Sequence, residues 1–277
     1  MFRVRSGLMK KIIWYSLIVI SAGGIISLSI GFMKAMKVTY HANIAVDENR
    51  VNTGAASTTT PARDKNANSI KITIMGDSIA KGTGDETGKG LAGYIKYYFG
   101  NLTSNAISVE DIGIDGLRSG GLLEQLRSGK PAPLISDSDY IVISIGGNDA
   151  REILRAKGIS RDEEFNDILD SYAANLKESL KIIRKDNISC IVVLLEIYNP
   201  YQNKDPEDNS LLNEWNYKTE QLLENDRRAI GIPTDELFKF NIERFIAPDG
   251  LHPNSAGYRA ISQIISKALE SFLVKDK

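Results

Sequence analysis

Four short polar segments of this 277-residue chain carry residue types that could do chemistry together. Gly76-Asp77-Ser78 sets a hydroxyl just past an apolar run, and Gly113-Ile114-Asp115-Gly116 follows a second run. Gly146-Gly147-Asn148-Asp149 follows a third, with a side-chain amide donor where glycines allow another group to approach closely. Pro248-Asp249-Gly250-Leu251-His252-Pro253 offers an imidazole with a carboxylate three residues before it. A serine hydroxyl at neutral pH is a poor nucleophile and needs a base. The chain has two histidines, His41 and His252, and His41 sits in a polar stretch near the N-terminus. His252 is therefore the base available to a nucleophilic serine in the globular part. Asp249 can fold back on the imidazole, fix its tautomer and stabilise the charge it gains. Serines at strand ends and glycines in βα turns are common without any chemistry, so the reading rests on the set.

The elements that must position these segments follow from periodicity. Ser69–Met75 alternates apolar and polar residues and reads as a strand. Ala106–Ile112, Tyr140–Ile145 and Ile188–Ile197 read likewise, with a weaker strand near Ile230–Asp235. Helical patterns lie between them at Leu91–Leu102, Ser119–Arg127, Arg161–Arg184, Leu211–Arg228 and Ser255–Leu273. In the last, Ala256, Ala260, Ile261, Ile264, Ile265, Ala268, Leu269 and Phe272 form an apolar face, and Asn254 or Ser255 can cap its start. Strands alternating with helices predict crossover units and a three-layer α/β/α sandwich on a five-stranded parallel sheet. The third and fourth strands are near-continuous apolar runs, as strands covered on both faces are. The glycine turns then emerge at one edge of the sheet, where open α/β sheets bind ligands.

Charge divides the chain unevenly. Residues 1–37 hold six of the 34 basic residues and no acid, so the remaining 28 face 35 acids in residues 38–277. An acidic globular part has no basic field for phosphate, which argues against nucleic acid as a partner. From Ile12 to Met33 run 22 uncharged, mostly apolar residues, about 33 Å as a helix and enough to cross a bilayer. A cleaved signal peptide would have a shorter apolar region and a small-x-small site, which Ala35-Met36-Lys37 does not supply. The expected organisation is a basic cytoplasmic segment at 1–11, a transmembrane anchor at 12–33 (or a signal peptide, the protein then being secreted), a flexible tether at 34–68 and a catalytic domain at 69–277. The basic flank ahead of the span places that domain outside the membrane. Gly23, Ser27 and Gly31 share one helix face that could pair two copies. Cys190, the one cysteine, lies in an apolar run and reads as a core residue, which leaves no intramolecular disulfide.

With these segments in view, the sequence resembles the SGNH (GDSL-type) hydrolase family. Gly76-Asp77-Ser78-Ile79 is similar to its first block, with Ile in place of the usual Leu. Gly146-x-Asn148-Asp149 resembles the third block and Asp249-x-x-His252 the fifth, in the family's order, over about residues 69–273. For the second block Gly113, Gly116, Gly120 and Gly121 compete, and Gly116 stands at the usual position. The resemblance implies the flavodoxin-like SGNH fold, with Ser78 as nucleophile, His252 as general base and then acid, and Asp249 as its orienting partner. It also implies an oxyanion hole made by the N–H groups of Ser78 and Gly116 and the amide of Asn148. No cofactor and no metal is implied. Asp77 and Asp149 are expected to brace their turns. The activity this predicts is carboxylic ester hydrolysis, of the esterase or lysophospholipase-like kind, falling at low pH as His252 takes up a proton.

Other chemistries fit less well. Gly82 to Gly90 is glycine-rich and contains Gly-Lys, but neither its glycine spacing nor the residue after Lys89 suits a phosphate-binding loop. It reads instead as a mobile rim of the site. One histidine leaves too few ligands for a zinc centre. A silent glycan- or lipid-binding module of the same fold would not need every catalytic position filled. For substrate, Tyr198-Asn199-Pro200-Tyr201 and the polar loop to Asn209 are expected to border the pocket. Acyl lipids near the membrane suit the tether, with O-acetylated cell-wall or exported polysaccharide as the alternative.

Overall fold

The computed structural model describes residues 69–155, 161–200 and 206–273. The expected segments 1–11, 12–33 and 34–68, and the small-residue face at Gly23, Ser27 and Gly31, lie outside those residues. Among the described residues no helix is long and apolar enough to cross a membrane.

Five parallel strands form one sheet: β1 (Ser69–Gly76), β2 (Ala106–Asp111), β3 (Tyr140–Ser144), β4 (Ile191–Leu195) and β5 (Ala229–Ile232), in the spatial order β2-β1-β3-β4-β5. This is the flavodoxin-like order. Between the strands run α1 (Ser78–Lys81), α2 (Gly90–Leu102), α3 (Ser119–Arg127), α4 (Ala132–Asp137), α5 (Gly147–Arg155), α6 (Arg161–Asp186) and α7 (Pro206–Leu223). After β5 come α8 (Thr234–Lys239), α9 (Ile242–Phe245) and α10 (Ser255–Leu273).

Side-chain alternation divides the core into two. Ile70, Ile72 and Ile74 of β1, Tyr140 and Val142 of β3, and Ile191, Val193 and Leu195 of β4 face α2 and α10. Met75, Ile141, Ile143, Val192 and Leu194 face the other way, onto α3, α6 and α7. The central strands β3 and β4 are buried at every residue, whereas the edge strand β2 is mostly exposed and ends in Glu110 and Asp111. Charge at an edge discourages pairing with another chain.

Three expectations shift. The fourth strand begins at Ile191, because Asn187 ends α6 and shapes a turn from 187 to 190. Its side chain accepts from the N–H groups of Ser189 and Cys190 and donates to the carbonyls of Ile135 and Ser138. Ile188 is turned out to solvent, 80% exposed, while Cys190 is buried as expected. The fifth strand is shorter than expected, since Pro233 lacks the N–H a ladder needs and α8 starts at Thr234. On α10 the expected face packs on the core, and the buried stripe is broader than expected, adding Tyr258, Ser262, Ser266 and Leu273 to Ile261, Ile265 and Leu269. It accommodates Ser266 because its hydroxyl donates to the Ser262 carbonyl at 2.8 Å. Asn254 caps this helix through the N–H of Gly257, as predicted.

Candidate active site

The strand order fixes where a site can form. From β1 the chain crosses to β2 on one side and then to β3 on the other, so a crevice opens between the carboxyl ends of β1 and β3. Ser78 follows β1 and Asn148 follows β3, and both line one cleft. The β1 end is drawn tightly against β3. Gly76 has φ +123°, and a Cβ there would lie 1.9 Å from the Ser144 carbonyl oxygen. Asp77 N–H then donates to that same oxygen at 2.8 Å. The turn leaves Ser78 at the first position of α1, capped by the Asp77 side chain on the Ile79 N–H.

The last segment reaches the serine from the far end of the chain. Asp249 accepts from the N–H groups of Leu251 and His252 at 2.9 and 3.0 Å, which folds the loop into a tight turn. Ala247 N–H donates to the His252 carbonyl, and Tyr198 O–H donates to that of Leu251 at 2.9 Å. The imidazole thus held has Nδ1 2.6 Å from Asp249 Oδ2 and Nε2 2.9 Å from Ser78 Oγ. An ionised carboxylate can only accept, so Nδ1 carries the proton and Nε2 is left to accept the Ser78 O–H. Asp249 feels burial, which raises its pKa. The hydrogen bonds from the His252 ring, His252 N–H and Leu251 N–H outweigh it and hold the carboxyl below its usual range.

The remaining expected residues divide. Asn148 lines the cleft, and its Nδ2 donates to the Leu117 carbonyl at 3.0 Å, leaving the second amide hydrogen. Gly116 is not among the residues that line the cleft. It stands between Asp115, bonded to Lys81 and Thr83, and Leu117, bonded to Asn148. The turn is therefore fastened to the elements on both sides of the crevice. Asp149 braces as expected, accepting from the Ser119 N–H and hydroxyl at the start of α3. The 82–90 loop borders the site but is strapped down rather than loose. Gly84, at φ +94°, packs so closely that a Cβ would sit 2.6 Å from the His252 Cβ. Tyr258 O–H donates to Thr83 O, Asp85 accepts from the N–H groups of Thr87 and Gly90, and Glu86 accepts from Ser255.

Asp77 is 3% exposed, and burial pushes its pKa up to about 6 against the hydrogen bonds from Ser144, Ile79 and Ala80 and the charge of His252. A carboxyl raised above its unfolded value of 3.8 stabilises the fold fully below that pH and ceases to do so as pH rises through 6. Asp77→Asn keeps the acceptor and removes the buried charge. Its unfolding free energy relative to wild type should therefore rise by about 3 kcal/mol between pH 3.5 and pH 7.5. Urea titrations at the two pH values measure this, and a constant difference would contradict it.

Tyr198 and Pro200 line the cleft as anticipated, and the continuation from Tyr201 to Asp205 lies outside the described residues. Arg151 and Glu196 also line it and were not anticipated. Arg151 is three residues beyond Asn148, a spacing that shares a face once α5 is recognised as a helix. Glu196 had a signal too, as the one charge interrupting the apolar run from Ile191 to Ile197.

A doubly covered parallel sheet of order 2-1-3-4-5 is a flavodoxin-like three-layer sandwich, and here Ser78, His252 and Asp249 lie in hydrogen-bond contact at its switch point. The chain belongs to the GDSL-like lipase/acylhydrolase family, whose model matches residues 74–260, and it is a carboxylic ester hydrolase. It is 30% identical over 208 residues to the uncharacterized protein YpmR of Bacillus subtilis (strain 168), covering 73% of this chain and 82% of that one. It is 24% identical over 207 residues to the spore germination lipase LipC of Bacillus licheniformis, covering 72% of this chain and 96% of LipC. Among solved structures it is similar in fold to the lipase Lip_vut3 from a goat rumen metagenome. There the TM-score is 0.65 at 24% identity, over 72% of this chain and 97% of the other.

Proposed function

We propose that the chain is a serine acylhydrolase in which Ser78, His252 and Asp249 act as a triad on acyl-lipid esters at the outer side of the membrane, tethered by residues 12–33. The observation that carries this reading is the 2.9 Å contact between His252 Nε2 and Ser78 Oγ, continued to Asp249 at 2.6 Å. Ser78 Oγ attacks the ester carbonyl carbon while its proton passes to Nε2. The carbonyl oxygen becomes an oxyanion, met by the Ser78 N–H and the Asn148 amide. Collapse expels the alcohol, which takes the proton from His252 and leaves an acyl-serine. Water, deprotonated by the same imidazole, then attacks the acyl carbon and releases the acid and free Ser78. Every step uses side chains and water, so the reaction calls for no cofactor.

The apolar groups of Ile79, Ile197, Tyr198, Pro200 and Leu251 around the cleft favour an acyl chain, and the tether would keep the cleft near lipid. The lipase name of the Bacillus licheniformis relative points the same way. The deciding experiment compares p-nitrophenyl esters of two to sixteen carbons, monoacyl lipids and acetylated xylan. Activity that grows with chain length and extends to monoacyl lipids is expected. Activity confined to acetyl esters and acetylated glycan would replace this reading with that of an O-acetyl esterase. Asn148→Ala should lower kcat about 10²–10³-fold with little change in KM, because its amide serves the oxyanion and not the ground state. An equal loss from a raised KM would instead make Asn148 a binding group.

A further inference from the structure

Besides Asp77, which braces its turn, the cleft holds two charged side chains that ester cleavage itself does not use, Arg151 and Glu196. Arg151 leaves α5 on the same face as Asn148, and both line the cleft. It is half-buried, and among the described residues no carboxylate lies within ion-pair distance of it. A guanidinium does not give up its charge in a protein, so Arg151 brings a permanent cation to the cleft. Glu196, the residue after β4, lines the same cleft. Its surroundings are acidic: burial first, then the charges of Asp235, Glu220 and Glu236, push its carboxyl up to about 7 against one hydrogen bond from the Asp235 N–H. Asp235, at the start of α8, is itself raised by burial and by Glu236, with Lys239 acting against them.

The sheet puts these groups in a definite order. Strands β1, β3, β4 and β5 are successive neighbours, about 4.8 Å apart. Ser78, Arg151, Glu196 and Asp235 follow their carboxyl ends in that sequence. Along the edge the chemistry therefore runs hydroxyl, cation, anion, anion. A monoacyl glycerophospholipid with an ethanolamine or choline headgroup carries an ester, then a phosphodiester anion, then an ammonium cation. Its charges complement the edge group by group.

We propose that Arg151 and Glu196 read the headgroup of a zwitterionic lysophospholipid, Arg151 binding the phosphodiester and Glu196 the ammonium. The assignment rests on the acyl-lipid reading above and names its substrate class. Arginine suits the first task because its planar fork can take two phosphate oxygens at once. The excess of acid around Glu196 suits the second, since a bound cation relieves the repulsion among those carboxylates.

The test uses the full chain at pH 8, where Glu196 is ionised, and three substrates with one acyl chain in common. Lysophosphatidylethanolamine carries both charges, lysophosphatidylglycerol the anion alone, and monoacylglycerol neither. Wild-type kcat/KM should fall in that order, by about tenfold or more per step. Arg151→Gln should lower the ratio of both phospholipids to monoacylglycerol about tenfold, through KM, and Arg151→Lys should restore part of it. Glu196→Gln should lower the ratio of the zwitterionic to the anionic lipid and leave the ratio of anionic to neutral intact. A wild-type preference for monoacylglycerol, or substitutions that scale all three substrates alike, would overturn the assignment. Loss of all three substrates with p-nitrophenyl ester turnover retained would sink the acyl-lipid reading, and the headgroup assignment with it.

Discussion

Ser78→Ala is expected to cost about 10⁶ in kcat on p-nitrophenyl butyrate, with little change in KM and an unchanged melting temperature. The size follows from the role: without Oγ no acyl-enzyme can form, and what remains is water attack helped by the oxyanion donors. The fold should not notice. Ser78 Oγ has His252 Nε2 as its partner, and that ring faces a cleft from which water can replace the lost hydroxyl. Alanine is also the best helix former for the first position of α1. His252→Ala should cost about as much, and the double variant no more than either, because the two side chains perform one step between them. A phosphonate ester that phosphonylates a nucleophilic serine should label the wild type and not the alanine variant. Turnover by Ser78→Ala within tenfold of wild type would remove Ser78 from the mechanism. Wild-type turnover no faster than that of the variant would fit a binding module in which the same contacts serve only structure.

The parts of this site that were legible in the sequence are those whose backbone is dictated locally. The alternation through Ile70, Ile72 and Ile74 marks β1, and the apolar runs at Tyr140–Ile143 and Ile191–Leu195 mark β3 and β4. Once those strands are parallel, the polar turns after them must share an edge, so Ser78 and Asn148 come together without further information. The Asp249–His252 turn is legible for the same reason, as it closes on itself through the Asp249 side chain. Arg151 and Glu196 were hidden because their orientation is set at longer range. Helix α5 opens with Gly147-Asn148-Asp149, three poor helix formers, and is held by the Asn148 bond to Leu117, the Asp149 bonds to Ser119 and the burial of Ala150. Which residue after β4 faces the cleft depends on the pairing with β5, where the Glu196 N–H donates to the Ile232 carbonyl at 3.0 Å. The 82–90 loop was misjudged for a related reason. Its glycines suggest freedom, but the partners that hold it, Tyr258 and Ser255, lie more than 160 residues away in the chain.

Asp249→Asn should lower kcat about 10⁴-fold with a melting temperature close to wild type, and the contrast between those two numbers is the point of the substitution. Asp249 has two jobs, divided between its oxygens. Oδ1 accepts the N–H groups of Leu251 and His252 and so shapes the loop, while Oδ2 meets His252 Nδ1. Asparagine can keep its carbonyl oxygen on the loop, so the fold survives. Its amide nitrogen then faces Nδ1 and can only donate, which favours the tautomer carrying its proton on Nε2. That tautomer donates towards Ser78 Oγ and cannot accept its proton, so the base is lost while every residue stays in place. Asp249→Ala removes both jobs and should also lower the melting temperature, because two loop N–H groups lose their acceptor. The carboxylate is about half exposed, with 45% of its side-chain surface accessible. Water can therefore partly replace it in the alanine variant and let the ring choose either tautomer. Asparagine offers no such escape, so it should be the slower enzyme of the two although it is the better folded. An asparagine variant within threefold of wild type would show that His252 is oriented by the Ala247 and Tyr198 contacts alone, with Asp249 serving only the loop.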